Sequence, residues 1–391
     1  MTNRSIFFSI WLFISVVLQS DLMIAQNDSI QPYIRFLEDQ NTNCIDYILK
    51  SFDTSHIVVI GERDHREMTQ YYFIENLISQ ESFQAEVGVI FTEVGNYSLN
   101  STLNKLLWDS EISAEVFQRK ILEVFRDISY YPVWQNYNFY YFLTSVWKVN
   151  QQLTDEFKIK VIMTGPSIHW DEIKDTEDYY NWYKTSKDIV EYDKIIAENI
   201  LNYIDSDTIS FRKKYLTILN HPHCFKSITF SNSKNRNDFT TSFIKEAYPN
   251  TKTIMINTVG NFDYRFWAIA NGKWDAAFEK LHKSNTGFDL ANSPFGNDLF
   301  DTWSSDICKS RYYEVFDGMI YINPVKDFRI KIGIPKMLRN GFAKELKRRE
   351  DIYTRKNTSL FSIYYNYWGV TIYKHDNWRE IEKQIQNWIV D

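Results

Sequence analysis

Uninterrupted apolar runs alternate along this chain with stretches whose apolar residues recur every three or four positions. His56-Ile-Val-Val-Ile-Gly61 and Val87-Gly-Val-Ile-Phe-Thr92 are of the first kind, and residues 67–79 between them are of the second. Short continuous apolar runs rich in β-branched residues predict strands buried on both faces, and the longer spacing predicts amphipathic helices. Further strands are expected over 157–163, 215–219, 253–257 and 318–323, with helices over 171–184, 189–203 and 238–247. Residues 27–54 read as a short helical lead-in. Residues 103–152 are helical in character, broken near Tyr131-Pro132, with Val133, Trp134, Tyr137, Tyr140, Tyr141, Leu143, Val146 and Trp147 forming a stripe that reads first as core. This alternation predicts an α/β fold: a mostly parallel central sheet flanked by helices, with a helical insertion at about 103–152.

Two regions depart from the alternation. Residues 260–313 hold Gly287, Pro294, Gly296 and many Asn and Asp, and read as a loop-rich span of the kind that supplies lids and binding loops. Residues 334–391 carry a basic amphipathic stretch (336–349), an aromatic segment (360–373) and a last helix with Trp378, Ile381, Ile385 and Trp388. They read as a small C-terminal extension packing on a domain of residues 26–333, the basic stretch being a solvated helix face. No internal repeat is visible.

The first 25 residues read as a signal peptide: Arg4, a short apolar core over 6–18, and Ala25 before Gln26. That core falls short of the ~20 residues of a membrane span, and no later segment is long and apolar enough. The protein is therefore expected to be exported, to the periplasm or beyond, with no transmembrane segment after cleavage. Its net charge of −6 gives no electrostatic reason to bind nucleic acid. With 44% apolar and 24% charged residues the 391-residue chain can build a real core. The 28 Phe, 26 Tyr and 12 Trp suit both that core and a cleft for a bulky, apolar small molecule. The widely spaced Cys44, Cys224 and Cys308 exclude a cysteine zinc knuckle. In an exported chain they allow one disulfide and leave an odd thiol. Cys224, next to His223, reads as a small buried residue before it reads as a nucleophile.

The chemistry gathers at strand ends. The first strand runs into Glu62-Arg-Asp-His65, the second into Glu93, and the fourth into Asn220-His221-Pro222-His223. Parallel strands deliver such residues to one edge, where α/β sheets bind their ligands. A carboxylate that orients a histidine makes it a base for water, and a second carboxylate completes an acid/base pair. His and Glu oxygens also suit a divalent metal that activates water. Simpler roles exist for each residue. Glu62 and His65 could cap the following helix, and Glu93 could pair with Arg63 or Arg66. No G-x-S-x-G elbow and no phosphate-binding glycine loop is present.

The run Ile57-Val-Val-Ile-Gly-Glu62-Arg-Asp-His65, followed by Phe91-Thr-Glu93, resembles the erythromycin-esterase-like family with its G-E-x-x-H motif and second glutamate. The stretches 134–150, Ala197-Glu-Asn-Ile, Leu219-Asn-His-Pro-His223, Ser293-Pro-Phe-Gly and Phe316-Asp-Gly-Met-Ile-Tyr are similar too, over roughly 53–324. The resemblance implies hydrolysis of esters or lactones, with Glu62 and Glu93 as catalytic carboxylates and His65 as the base. Substrate-binding roles are expected for His221, His223, Asn220, Arg66 and Trp134. Where the family carries H-N-x-H, this chain has Asn220-His221-Pro222-His223, so His223 matches the second histidine and Asn220 stands in the place of the first. The wider superfamily includes metal-dependent peptidases and haem-uptake proteins, so a haem- or metal-binding protein, or a metal-dependent peptidase, is the alternative on the same edge.

Overall fold

In the computed structural model, the structure describes residues 30–186, 189–208, 210–231, 234–256, 259–262, 265–302, 308–355, 371–373 and 378–389. The signal peptide expected over 1–25, most of the aromatic segment 360–373, and His375 lie outside them.

Seven strands form the central sheet: β1 (Ile57–Glu62), β2 (Val87–Asn96), β3 (Lys160–Gly165), β4 (Lys214–Asn220), β5 (Lys252–Met255), β6 (Thr286–Asp289) and β7 (Gly318–Tyr321). Their order is β6-β7-β5-β1-β4-β2-β3, and every pairing is parallel except β6 with β7. This is the α/β fold expected from the sequence. β1 and β2 are consecutive in sequence but do not pair, because β4 lies between them.

Alternation along the strands builds a core on each face. Val58, Ile60, Ile90, Leu216 and Ile218 point to one side, beneath the helices Thr69–Ile78, Asn100–Trp108, Ala114–Phe125 and Tyr137–Asn150. Ile57, Val59, Val89, Phe91, Tyr215 and Leu219 point to the other, against Ile189–Ser206, Thr240–Ala247 and Lys273–Lys280. Both faces are covered, which is why these strands read as apolar runs rather than as alternating patterns. The helical stripe is mostly core as expected. Val133, Leu143, Val146 and Trp147 are buried, and Tyr137, Tyr140 and Tyr141 are half-buried.

The span 260–313 is not mainly loop. It carries the second strand of the hairpin Val259–Phe262/Arg265–Ala268, the helix Lys273–Lys280 and β6. These elements are four to eight residues long, too short for a period to emerge from the sequence. They close the sheet edge opposite β3. The C-terminal extension divides. The helix Phe342–Tyr353 packs against Thr176–Ser186, the strand Thr371–Tyr373 pairs with Ile330–Ile332, and the last helix Trp378–Ile389 packs on Lys273–Lys280. No helix among the described residues is long and apolar enough to cross a membrane. Cys44, Cys224 and Cys308 are all free and buried.

Candidate active site

The carboxyl ends of β1, β4 and β2 are adjacent, and their terminal residues converge. Glu62 ends β1 in register with Asn220 at the end of β4. It shares the parity of Val58 and Ile60, so it leans toward the Thr69–Ile78 helix, where the Tyr71 hydroxyl donates to its Oε1. Glu93 shares the parity of Phe91 and leans toward the opposite layer. A register shift between Thr92 and Asn96, with Gly95 at φ +125°, makes a bulge immediately beyond it. Bulges of this kind re-aim side chains beside active sites. The floor under the bulge is tight: a Cβ on Gly165 would lie 2.4 Å from the Gly95 carbonyl oxygen and 2.9 Å from that of Glu93. Gly165→Ala is therefore expected to destabilise the protein by ~1–3 kcal/mol and to lower activity by displacing Glu93. An unchanged thermal melt would show that the floor can yield.

A chain of alternating imidazoles and carboxylates links these strand ends. His65 Nδ1 donates to Glu62 Oε2 at 2.8 Å, and its Nε2 faces Glu93 Oε1 at 3.7 Å. His223 Nε2 lies 3.3 Å from the same oxygen, and its Nδ1 donates to Asp193 Oδ1 at 2.8 Å. Asp193 in turn accepts from the backbone N–H and hydroxyl of Thr240, both at 2.7 Å. The backbone N–H of Asn220 donates to Glu93 Oε2 at 2.8 Å, and the Tyr192 hydroxyl lies 3.4 Å from Oε1.

This arrangement decides the charges. Burial works against a charged His65, but Glu62 and Glu93 together outweigh it and hold the imidazole well above its ordinary value. Burial likewise opposes the charge on His223, and Glu93 and Asp193 raise it to about 10. Burial alone would raise the Glu93 carboxyl, but His223 and then His65 hold it well below the usual carboxylate range. His221 is the opposite case. It is buried with no partner for Nδ1, and burial, followed by the charges of His223 and His65, pushes it down to about 3. At neutral pH the edge thus holds two imidazolium rings and one neutral imidazole. The Cys224 thiol is pushed up by burial and then by Glu93 and Glu62, so it is no nucleophile at neutral pH.

The simpler roles belong to other residues. Glu67, not Glu62 or His65, accepts from the first N–H groups of the Thr69–Ile78 helix, at 2.8 Å from Thr69 and 3.1 Å from Gln70. Arg63 pairs with Glu67 at 2.7 Å and Arg66 forks onto Asp64, so Glu93 is left to the histidines. Of the residues expected at the site, Glu62, His65, Glu93, His221, His223 and the Asn220 backbone converge. Trp134 joins them, its ring meeting His65 edge-on at 5.2 Å. Arg66 is turned to Asp64. Asp193, Tyr71 and Tyr192 were not singled out from the sequence. Asp193 had one signal, because it interrupts the apolar stripe Tyr192, Ile196, Ala197 and Ile200 on its helix.

His65 and Glu93 open into a cavity of about 90 Å³, walled by Tyr130, Tyr131, Trp134 and Tyr192 with Gly95 and Gly165. Among the described residues, no group of three or more His, Cys, Asp and Glu has the mutual geometry to hold a metal ion.

No family model matches this chain. No curated protein matches its sequence. Among solved structures it is similar to a succinoglycan biosynthesis protein (12% identity, 78% of this chain and 97% of that one, TM-score 0.48). It is similar to a Bacillus cereus protein (11%, 76% and 97%, TM-score 0.44). It is also similar to a mutant of the erythromycin esterase EreC in its open conformation (9%, 75% and 96%, TM-score 0.45). At such identities, and with TM-scores below 0.5, these likenesses assign this chain no activity.

Proposed function

We propose that the protein is an exported hydrolase of ester or lactone bonds that activates water between His65 and Glu93. The observation that carries this reading is the 3.7 Å separation of His65 Nε2 from Glu93 Oε1 at the wall of a cavity. It is too long for a direct hydrogen bond and short enough for both groups to reach one reacting oxygen. Because both ring nitrogens of His65 face carboxylates, the resting imidazole carries both protons. Glu93 is then the group that accepts the proton of water, and His65 acts as the acid, a role opposite to the base expected from the sequence. Glu62 and Tyr71 fix the ring of His65, while Asp193 and His223 fix Glu93 from the other side. His221 is buried, neutral and outside the cavity wall, so its place is behind the strand ends. The resemblance to the erythromycin-esterase-like family supports the same class of reaction. Export rests on Arg4, the apolar stretch over 6–18 and Ala25.

The test is hydrolysis of an ester and lactone panel, including a macrolide, by residues 26–391, with and without chelator. Turnover that survives chelation is the expected result. Turnover abolished by chelation would transfer water activation to a divalent metal, and an inert protein across the panel would end the hydrolase reading.

A further inference from the structure

The cavity beside His65 and Glu93 measures about 90 Å³. A water molecule occupies ~30 Å³ of liquid, so the space holds roughly three non-hydrogen atoms. A cavity that takes benzene is larger, at ~150 Å³. The walls are backed by a second packed layer. Tyr130 stacks on Trp182 at 6.2 Å, and its carbonyl accepts from the Tyr179 hydroxyl at 3.2 Å. Tyr131 meets Tyr353 at 5.9 Å, and the Ser129 carbonyl accepts from Trp170 Nε1 at 2.8 Å. From the C-terminal extension, Arg349 reaches the Arg126 carbonyl and Asp127, each at 2.6 Å. Enlarging the space on the Tyr130 side would therefore mean moving this layer, whereas Tyr131, 36% exposed, forms the outer wall.

The direction of a bound ester follows from exposure. The His65 side chain is 23% exposed and that of Glu93 is 7% exposed. A leaving oxygen that takes its proton from His65 thus departs toward solvent, and the acyl group lies inward. Trp134 forms part of the wall, and its indole N–H is itself buried and unpartnered, so that resonance reports on what fills the space beside the ring.

Resting on the hydrolase reading above, we propose that this cavity is an acyl pocket for acetyl-sized groups, so that the substrates are acetyl esters of larger alcohols. Water forms a new bond to the acetyl carbon as its proton passes to Glu93. The bond from that carbon to the alcohol oxygen breaks as His65 Nε2 gives its proton to the departing oxygen. Acetic acid and the alcohol leave, and the proton on Glu93 returns to His65.

Two measurements test the pocket. The first compares kcat/KM on p-nitrophenyl acetate, butyrate and octanoate, each divided by its uncatalysed rate, for the wild type and Tyr131→Ala. Each excess methylene in a filled pocket costs ~10–200-fold. Acetate is therefore expected to exceed octanoate by at least ~100-fold, and Tyr131→Ala to narrow that ratio by at least ~10-fold. The second needs no turnover. The indole N–H resonance of Trp134, assigned with Trp134→Phe, is expected to shift with N-methylacetamide and not with N-methylbenzamide. If it does so while every ester survives intact, the hydrolase reading fails and the pocket stands. Octanoate cleaved as readily as acetate, or a benzamide shift equal to that of acetamide, overturns the proposal.

Discussion

Replacing Glu93 by glutamine is expected to lower kcat/KM by ~10²–10⁴-fold, the range for loss of a positioned acid or base, at almost unchanged side-chain volume. Both Glu93 oxygens are acceptors. Oε2 takes the Asn220 N–H at 2.8 Å, and Oε1 faces His223 at 3.3 Å, Tyr192 at 3.4 Å and His65 at 3.7 Å. A glutamine amide has one acceptor oxygen, so its NH₂ must meet a donor whichever way it turns. The substitution also removes the negative charge between two imidazolium rings. Breaking a buried pair from one side costs ~3–5 kcal/mol. The variant should therefore melt earlier, and its kinetics belong well below its melting point. His65→Ala should cost a similar factor in rate, and the double variant little more, because the two act as one unit. A folded Glu93→Gln protein with wild-type turnover would remove Glu93 from the reaction.

Stability is expected to be greatest near pH 6.5, with the limb on each side set by different histidines. His223 binds its proton more tightly folded than unfolded. Its contribution is whole below its ordinary value of 6.5 and is lost as pH rises through about 10. His65, also raised, acts in the same direction. His221 has the opposite sign. Between 6.5 and about 3 the unfolded chain takes up a proton that the folded protein refuses, so stability falls as pH falls across that window. Glu93, held below its ordinary 4.5, adds to the acid loss below that value. A tenfold difference in proton affinity between the folded and unfolded chain is worth at most ~1.4 kcal/mol. The contributions of Glu93 and His223 are one interaction seen from two sides, and count once. Urea unfolding from about pH 4 to about pH 9 measures both limbs. His221→Phe, which packs an apolar ring beside Phe225 in place of the unpartnered imidazole, should flatten the acid limb. His223→Gln should flatten the alkaline one. An acid limb unchanged by His221→Phe would mean that this histidine does not enter the fold neutral.

Much of the site was legible because of how a parallel sheet is built. Strands covered on both faces must be apolar throughout, so the first polar residue after each run marks its carboxyl end. Glu62, His65, Glu93 and His223 were found in this way. The supporting residues were not, for a different reason. Tyr71 and Tyr192 look like any aromatic on a buried helix face, and the partner of His223 lies on a helix that no strand-end pattern reaches. Strand order was hidden as well, since apolar runs of similar length carry no label for their neighbours. β6 was missed because four residues, Thr-Gly-Phe-Asp, show no alternation. Arg66 was attractive because it follows the motif histidine, but Asp64, two residues before it, already satisfies its fork.

The interposed position of β4 has a consequence for how the molecule comes into being. Glu62 and Glu93 are made early during synthesis, yet the strand that joins their edges emerges after the whole helical insertion and β3. Until β4 docks, β1 and β2 have no common neighbour, and Glu93 lacks both the Asn220 N–H and His223. Such long-range parallel pairing is slow, because a large loop must close before any contact rewards it. A ribosome-bound chain that stops short of residue 214 would therefore hold the motif without the centre. The appearance of the centre would mark the moment at which the middle of the sheet zips shut.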